Sequence, residues 1–222
     1  MHKSSGNMIE FNEAADRAGA DVMRWLYARQ AYDDNLLFGW EALDEVRRTV
    51  FIPLWNVYAF FVNYANIDQW TPETQSATPA YNTLDRWILA RLNQVTAQTR
   101  AALDDYNARA AALAIEKFID DLSNWYVRRS RRRFWRSESD AAGRADKQAA
   151  YATLYQALTT LCRLMAPFTP FLAEAMWQNL VNRQTVQQAD SAPDAESVHH
   201  QPYPSAEALS DDDLKLLRDT AI

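Results

Sequence analysis

Glycine is nearly absent: Gly6, Gly19, Gly39 and Gly143 are the only four in 222 residues, about a quarter of the usual ~7% usage. Sheets, tight hairpins and phosphate-cradling loops draw on glycine for positive φ or close backbone approach. The scarcity therefore argues against a dinucleotide-binding domain, a P-loop or a β-barrel. Cysteine is rarer still. Cys162 is alone, which rules out an intrachain disulfide and a cysteine metal site, and its apolar surroundings mark it as a small core residue. There is no uninterrupted run of about 18 apolar residues and no signal-peptide core at the N-terminus, so nothing points away from the cytoplasm.

What is present reads as helix. A hydrophobic fraction of 48% is that of a globular chain, and alanine, leucine, arginine and glutamine are abundant. The length suits one large domain or two small ones. Residues 12–30 read as one helix or two short ones broken at Gly19, and residues 40–68 as a long apolar helix with Pro53 kinking it or marking its start. The segment 70–82 is a proline-containing connector. Thr83 is placed to cap a helix striped by Leu84, Trp87, Ile88, Leu92, Val95 and Leu103. A second long helix covers about 108–137, ended by a polar turn around Gly143. A third runs to Met165, stopped by Pro167. Thr169 and Pro170 read as cap and first turn of a helix through Leu180. VHHQPYP (198–204) reads as an extended loop, and Ser210 followed by three aspartates opens a last short helix. The expected fold class is all-α, an up-and-down helix bundle with an irregular C-terminal extension.

Charge placement gives the functional clue. The net charge is −6, yet residues 128–136 hold six arginines in nine positions, leaving −12 for the rest of the chain. At 100° per residue, Ile119, Leu122, Tyr126, Val127 and Phe134 share one broad side of the helix, while Trp125, Arg128, Arg131, Arg132 and Trp135 share the other. Arg129, Arg133 and Arg136 lie at the border. Guanidinium forks match phosphate oxygens, and indole and guanidinium planes stack on unpaired bases, so a strip about 18 Å long points to RNA or another polyanion. The competing reading is a solvated or partner-binding face, with arginines answering the helix dipole and Asp120 and Asp121 supplying ion pairs.

Other candidates read as structure. Adjacent His199 and His200 make a poor metal geometry. Asp33 and Asp34, and Asp211 to Asp213, suit capping and solvation. Trp55, Tyr58, Phe60 and Phe61 read as core. No Ser–His–Asp order, H-E-x-x-H or GxGxxG is present, so no self-contained active site is expected.

Three stretches resemble a known family. Met1-His2-Lys3-Ser4-Ser5-Gly6-Asn7 followed by Gly19-Ala20-Asp21-Val22-Met23-Arg24-Trp25 is similar to the KMSKS signature of class I aminoacyl-tRNA synthetases and its following Gly-Ala-Asp-x-x-Arg helix. The leading lysine is missing, and His2 stands where the family usually has serine. LWNVYAFFVNYAN (54–66) and NWYVRRSRRRFW (124–135) resemble isoleucyl-tRNA synthetases in particular. APFTPFLAEAMWQNL (166–180) with Ser197-Val198-His199 continues the pattern, and Gln30 to Asp34 departs from it. The resemblance implies an anticodon-binding fragment. Residues 1–39 would be the end of a catalytic domain with connector helices, 40–183 the anticodon-binding bundle, and 184–222 a loop and C-terminal junction. It implies that Lys3 helps stabilise ATP in the intact parent, which ligates isoleucine to tRNA(Ile) with ATP and Mg2+. This piece, lacking the HIGH sequence and a nucleotide-binding fold, is expected to be inactive, with no cofactor or metal of its own. The implied partners are tRNA(Ile) and the remaining domains of the synthetase, not DNA or a membrane. The implied tRNA contacts fall on Trp125, Arg128, Arg131, Arg132 and Trp135. A valyl- or leucyl-type domain and a helical protein-interaction scaffold remain the alternatives.

Overall fold

The computed structural model describes residues 9–31, 33–36, 38–72, 79–136, 140–182 and 196–219, and among these there is no β-strand. Two short helices, α1 (Phe11–Ala18) and α2 (Ala20–Ala28), are separated by Gly19, whose φ of +92° takes the chain through a corner that side chains resist. Helix α3 (Trp40–Val46) passes through a π-helical turn, Arg47–Phe51, into α4 (Ile52–Asp68). Pro53 thus sits in the first turn of α4, where it marks the start of that helix, while the π turn carries the run on from α3. The wide turn just before the proline absorbs the place where its missing N–H would break the ladder.

Helix α5 (Thr83–Asp104) starts in a capping box: Asn82 Oδ1 accepts from the Leu84 and Asp85 amides, and Asp85 answers by accepting from Asn82 N at 3.1 Å. The cap is therefore Asn82 and not Thr83. Helix α6 (Ala108–Asp120) returns antiparallel after a tight turn with Tyr106 at φ +56°. A π-helical segment, Asp121–Val127, joins it to α7 (Arg128–Trp135). Helix α8 (Ala141–Met165) follows, capped by Asp140 through Gly143 N at 2.6 Å. Gly143 is thus inside the first turn of α8 rather than in the turn that ends α7. Helix α9 (Pro170–Trp177) widens into a π turn, Gln178–Asn182. Residues 198–200 form one 3-10 turn where an extended loop was expected, and α10 (Asp211–Asp219) lies across α5.

The core lies between α4, α5, α6–α7 and α8, where Leu54, Phe61, Ile88, Ile115, Phe118, Leu122, Tyr151, Leu154 and Leu161 are buried. The run Trp40–Asp68 is long and apolar enough, with mean hydropathy 1.2, to pass for a membrane span. Here its Leu54, Val57, Tyr58, Phe61 and Ala65 face the core, and the polar Asn56 and Asn63 are exposed. The N-terminal helices are tied in by Trp25. It is fully buried against Phe51 and Phe168, and its indole N–H donates to Glu116 at 2.7 Å.

Candidate nucleic-acid interface

Helix α7 is fixed to the bundle from below. Phe134 is buried, edge-on to Phe60 and Tyr151 at 5.0 and 4.9 Å between centroids. One residue earlier, the Arg133 guanidinium forks onto Asp85 with N···O distances of 2.7 and 2.8 Å, and also reaches the Asp146 carbonyl at 2.8 Å and carboxylate at 2.9 Å. Asp85 is wholly buried and accepts a further bond from the Tyr126 hydroxyl at 2.7 Å. Burial opposes the Arg133 charge, but the Asp85 carboxylate outweighs it and holds the guanidinium above its usual pKa. Tyr126 is pushed well above the phenol range by burial and by the same anion. At the far end, Lys147 is buried between Asp68 and the Arg136 carbonyl, donating to the latter at 3.3 Å.

With α7 held this way, Arg128, Arg131, Arg132 and Trp135 face outward, and Trp135 is 57% exposed. On an α-helix these four span an arc of roughly 100°. Among the described residues, none of these three guanidinium groups has a carboxylate partner. Ordinary surface arginines one turn from acids pair with them. Here Asp121 is already taken by Arg91, at 2.8 Å, and Asp120 accepts from Asn124 at 2.6 Å. Among the described residues, then, no acid pairs with the strip.

Trp125 is placed differently from the other four. It is half-buried beside Trp87, with centroids 6.4 Å apart, and lines a cleft of about 550 Å³ between α5, the π segment and α10. The guanidinium of the neighbouring Arg129 lies 3.8 Å over the Trp125 ring. Trp125 lies inside the wide turn Asp121–Val127, where the angular spacing of side chains departs from the 100° assumed from sequence. Arg129 and Arg136, assigned to the border of the core face, are exposed, as is Trp55 at 52% on α4. Trp55 was read as core, since an aromatic inside an apolar run gives no signal of its own facing.

The remaining motif residues have structural partners. Asp21 Oδ2 accepts from Leu172 N at 2.7 Å, capping α9 from a distant helix, and Arg24 donates to the Pro167 and Phe168 carbonyls at 2.8 and 2.9 Å. Burial raises the Asp21 pKa against the pull of those amides. Cys162 is buried and its thiol is pushed up to about 12, an unreactive core residue. Asp211, Asp212 and Asp213 sit in the first turn of α10 as the sequence predicts. His199 Nε2 lies 3.3 Å from the Pro170 carbonyl, and no cluster among the described residues has the makings of a metal site. Lys3 falls outside the described residues.

Comparison with known proteins places this surface in context. Residues 85–221 match the family described as the anticodon-binding domain of tRNA ligase. The chain is 46% identical over 217 residues to an isoleucine–tRNA ligase of Dehalococcoides mccartyi, covering 96% of this chain and 20% of that protein. It is 43% identical over 220 residues to the isoleucine–tRNA ligase of Thermus thermophilus, with the same coverage of 96% and 20%. The chain thus spans about a fifth of the length of the curated relatives it matches. Two solved structures share its fold at low identity. Mycobacterium tuberculosis methionyl-tRNA synthetase in complex with methionyl-adenylate has a TM-score of 0.67 at 16% identity, over 90% of this chain and 41% of that one. The Agrobacterium radiobacter K84 LeuRS in a ternary complex with tRNA and LeuAMS has a TM-score of 0.61 at 19% identity, over 98% and 22%. With a family match over more than half its length on a helical bundle of this shape, the chain belongs to the anticodon-binding domains of tRNA ligases.

Proposed function

We propose that the chain is the tRNA(Ile) anticodon-stem-loop recognition module of an isoleucine–tRNA ligase, and that α7 is its RNA-facing helix. The observation that carries this reading is the division of labour among the arginines. Arg133 is spent on Asp85 inside the bundle, whereas Arg128, Arg131 and Arg132 stand exposed, with no carboxylate partner among the described residues, on a helix with an exposed indole at its end. Guanidinium groups on phosphates position the stem, and stacking on Trp135, with Arg129 over Trp125 as a second platform, favours unpaired loop bases. The 43–46% identity to isoleucine–tRNA ligases supports isoleucine over the valyl or leucyl alternatives.

In this reading, residues 1–39 close a catalytic domain, 40–183 form the recognition bundle and 184–222 lead onward. The ATP- and Mg2+-dependent joining of isoleucine to tRNA(Ile), and the contribution of Lys3 to it, belong to the parent enzyme in the cytoplasm. ATP–pyrophosphate exchange with isoleucine by the 222-residue chain would contradict that assignment. The RNA-facing role of α7 is tested by titrating tRNA(Ile) transcript at several salt concentrations. Replacing Arg128, Arg131 and Arg132 together with alanine should weaken binding and flatten the log–log salt slope by about 2 to 3. An unchanged slope would remove α7 from the interface.

A further inference from the structure

A second charged feature lies away from α7. Arg163, in the last turn of α8, is half-buried; its Nε is inaccessible and has no hydrogen-bond partner, and no carboxylate among the described residues pairs with it. The neighbouring Cys162 thiol is neutral and offers no counter-charge. The α8 dipole favours a cation here, but it does not provide an acceptor for a buried Nε–H. Burial correspondingly pulls the guanidinium pKa below its usual value.

This side chain lines a cleft of about 470 Å³, a size typical of small-molecule sites, bounded by α5, α8 and the segment 204–209. Gln156 and Thr160, seven and three residues before Arg163, line the same cleft from α8, a row of donors on one helix face. Thr96, Thr153, Thr159 and Thr169 each spend their hydroxyl on a carbonyl four residues back, but the buried Thr160 has no such bond. The third wall is built in place. Asn93 grips Glu207 by both backbone groups, at 2.7 and 2.9 Å, and the Tyr203 hydroxyl donates to the Leu164 carbonyl at 3.3 Å.

From this geometry we infer that the cleft between α5, α8 and residues 204–209 binds a small monoanionic carboxylate, held by the two terminal Nη atoms of Arg163 with Thr160 and Gln156 as further donors. One guanidinium matches one carboxylate, bidentate. The exposed Glu207 carboxylate on the rim, and Asp213, already held by Arg86 at 3.6 Å, disfavour a dianion or a polyanion such as RNA.

The test titrates the 222-residue chain, with arginine Nε labelled, at about pH 8. The probes are benzoate, benzamide as its neutral counterpart, and inorganic phosphate as a dianion. Benzoate should shift the Arg163 Nε–H resonance and saturate at about millimolar concentration, with benzamide and phosphate about tenfold weaker. Arg163→Gln should weaken benzoate about tenfold, with the exposed Arg109→Gln as the unaffected control. The inference is overturned by no saturable shift, by an equal response to benzamide or phosphate, or by unchanged benzoate binding in Arg163→Gln. Should that variant fail to fold, the wild-type Nε–H response to benzoate against benzamide and phosphate decides alone.

Discussion

Replacing Asp85 with alanine removes the anchor beneath the arginine helix. The carboxylate accepts from both Arg133 nitrogens at 2.7 and 2.8 Å, from the Tyr126 hydroxyl at 2.7 Å and from the Asn82 amide at 3.1 Å. Breaking a buried ion pair from one side costs about 3–5 kcal/mol, because the remaining charge keeps its desolvation penalty. Arg133 would retain Asp146 at 2.9 Å, so the lower end applies, about 3 kcal/mol. With a urea m-value of about 2–3 kcal/mol/M, the midpoint should fall by about 1–1.5 M. Arg131→Ala, on the exposed face, should stay within about 0.5 kcal/mol of wild type. The double variant Asp85→Leu/Arg133→Met removes both charges and should lose less than the sum of its single changes. Urea denaturation followed by tryptophan fluorescence measures all of these. The reasoning is refuted if Asp85→Ala costs under 1 kcal/mol, or if Arg131→Ala costs as much as Asp85→Ala.

Other expectations follow from single contacts. Asp21→Ala should cost about 1–2 kcal/mol by uncapping α9. Asp21→Asn keeps an acceptor for Leu172 N without the buried charge and should match or exceed wild type at pH 7. The raised Asp21 pKa means that its unfavourable charge grows as pH climbs through the folded value, so the benefit of Asn should vanish below the ordinary value of 3.8. Glu174 behaves oppositely. Burial would raise its pKa, but bonds from Gln178, the Val198 amide and Ser197 outweigh that and hold it below the ordinary 4.5. Its contribution is full above pH 4.5 and is lost as pH falls through the lower folded value. The hydrogen-exchange protection factor of the Val198 amide, which removes the intrinsic pH dependence, should fall there in wild type and stay flat in Glu174→Gln. Gly19→Ala should cost about 1–2 kcal/mol by thermal denaturation, from backbone strain alone, because no atom lies within 4 Å of the added Cβ at φ +92°.

Periodicity carried the helices. Ile119, Leu122, Tyr126, Val127 and Phe134, placed on one side by helical spacing alone, are all buried, and Gly19 breaks its helix. The π turns at 47–51 and 121–127 were not legible, because a wide turn leaves no residue-level signal, and Trp125 lies inside the second. Asn82 and Thr83 are both capping types, and only the Asn82–Asp85 reciprocity decides between them. The role of Arg133 depends on a partner 48 positions earlier in the chain, and a run of arginines gives no sign of which member turns inward.

The central claim is that this bundle reads an anticodon. The measurement that tests it most directly is a competition between tRNA(Ile) transcript and the same transcript with a swapped anticodon, for the 222-residue chain at fixed salt. The account predicts that the swap weakens binding at least about tenfold, since each lost base-edge contact costs about 1–3 kcal/mol. Replacing Trp135 with alanine should reduce that preference. Equal binding of the two RNAs, unchanged by Trp135→Ala, would contradict it and leave α7 a charged face without base recognition.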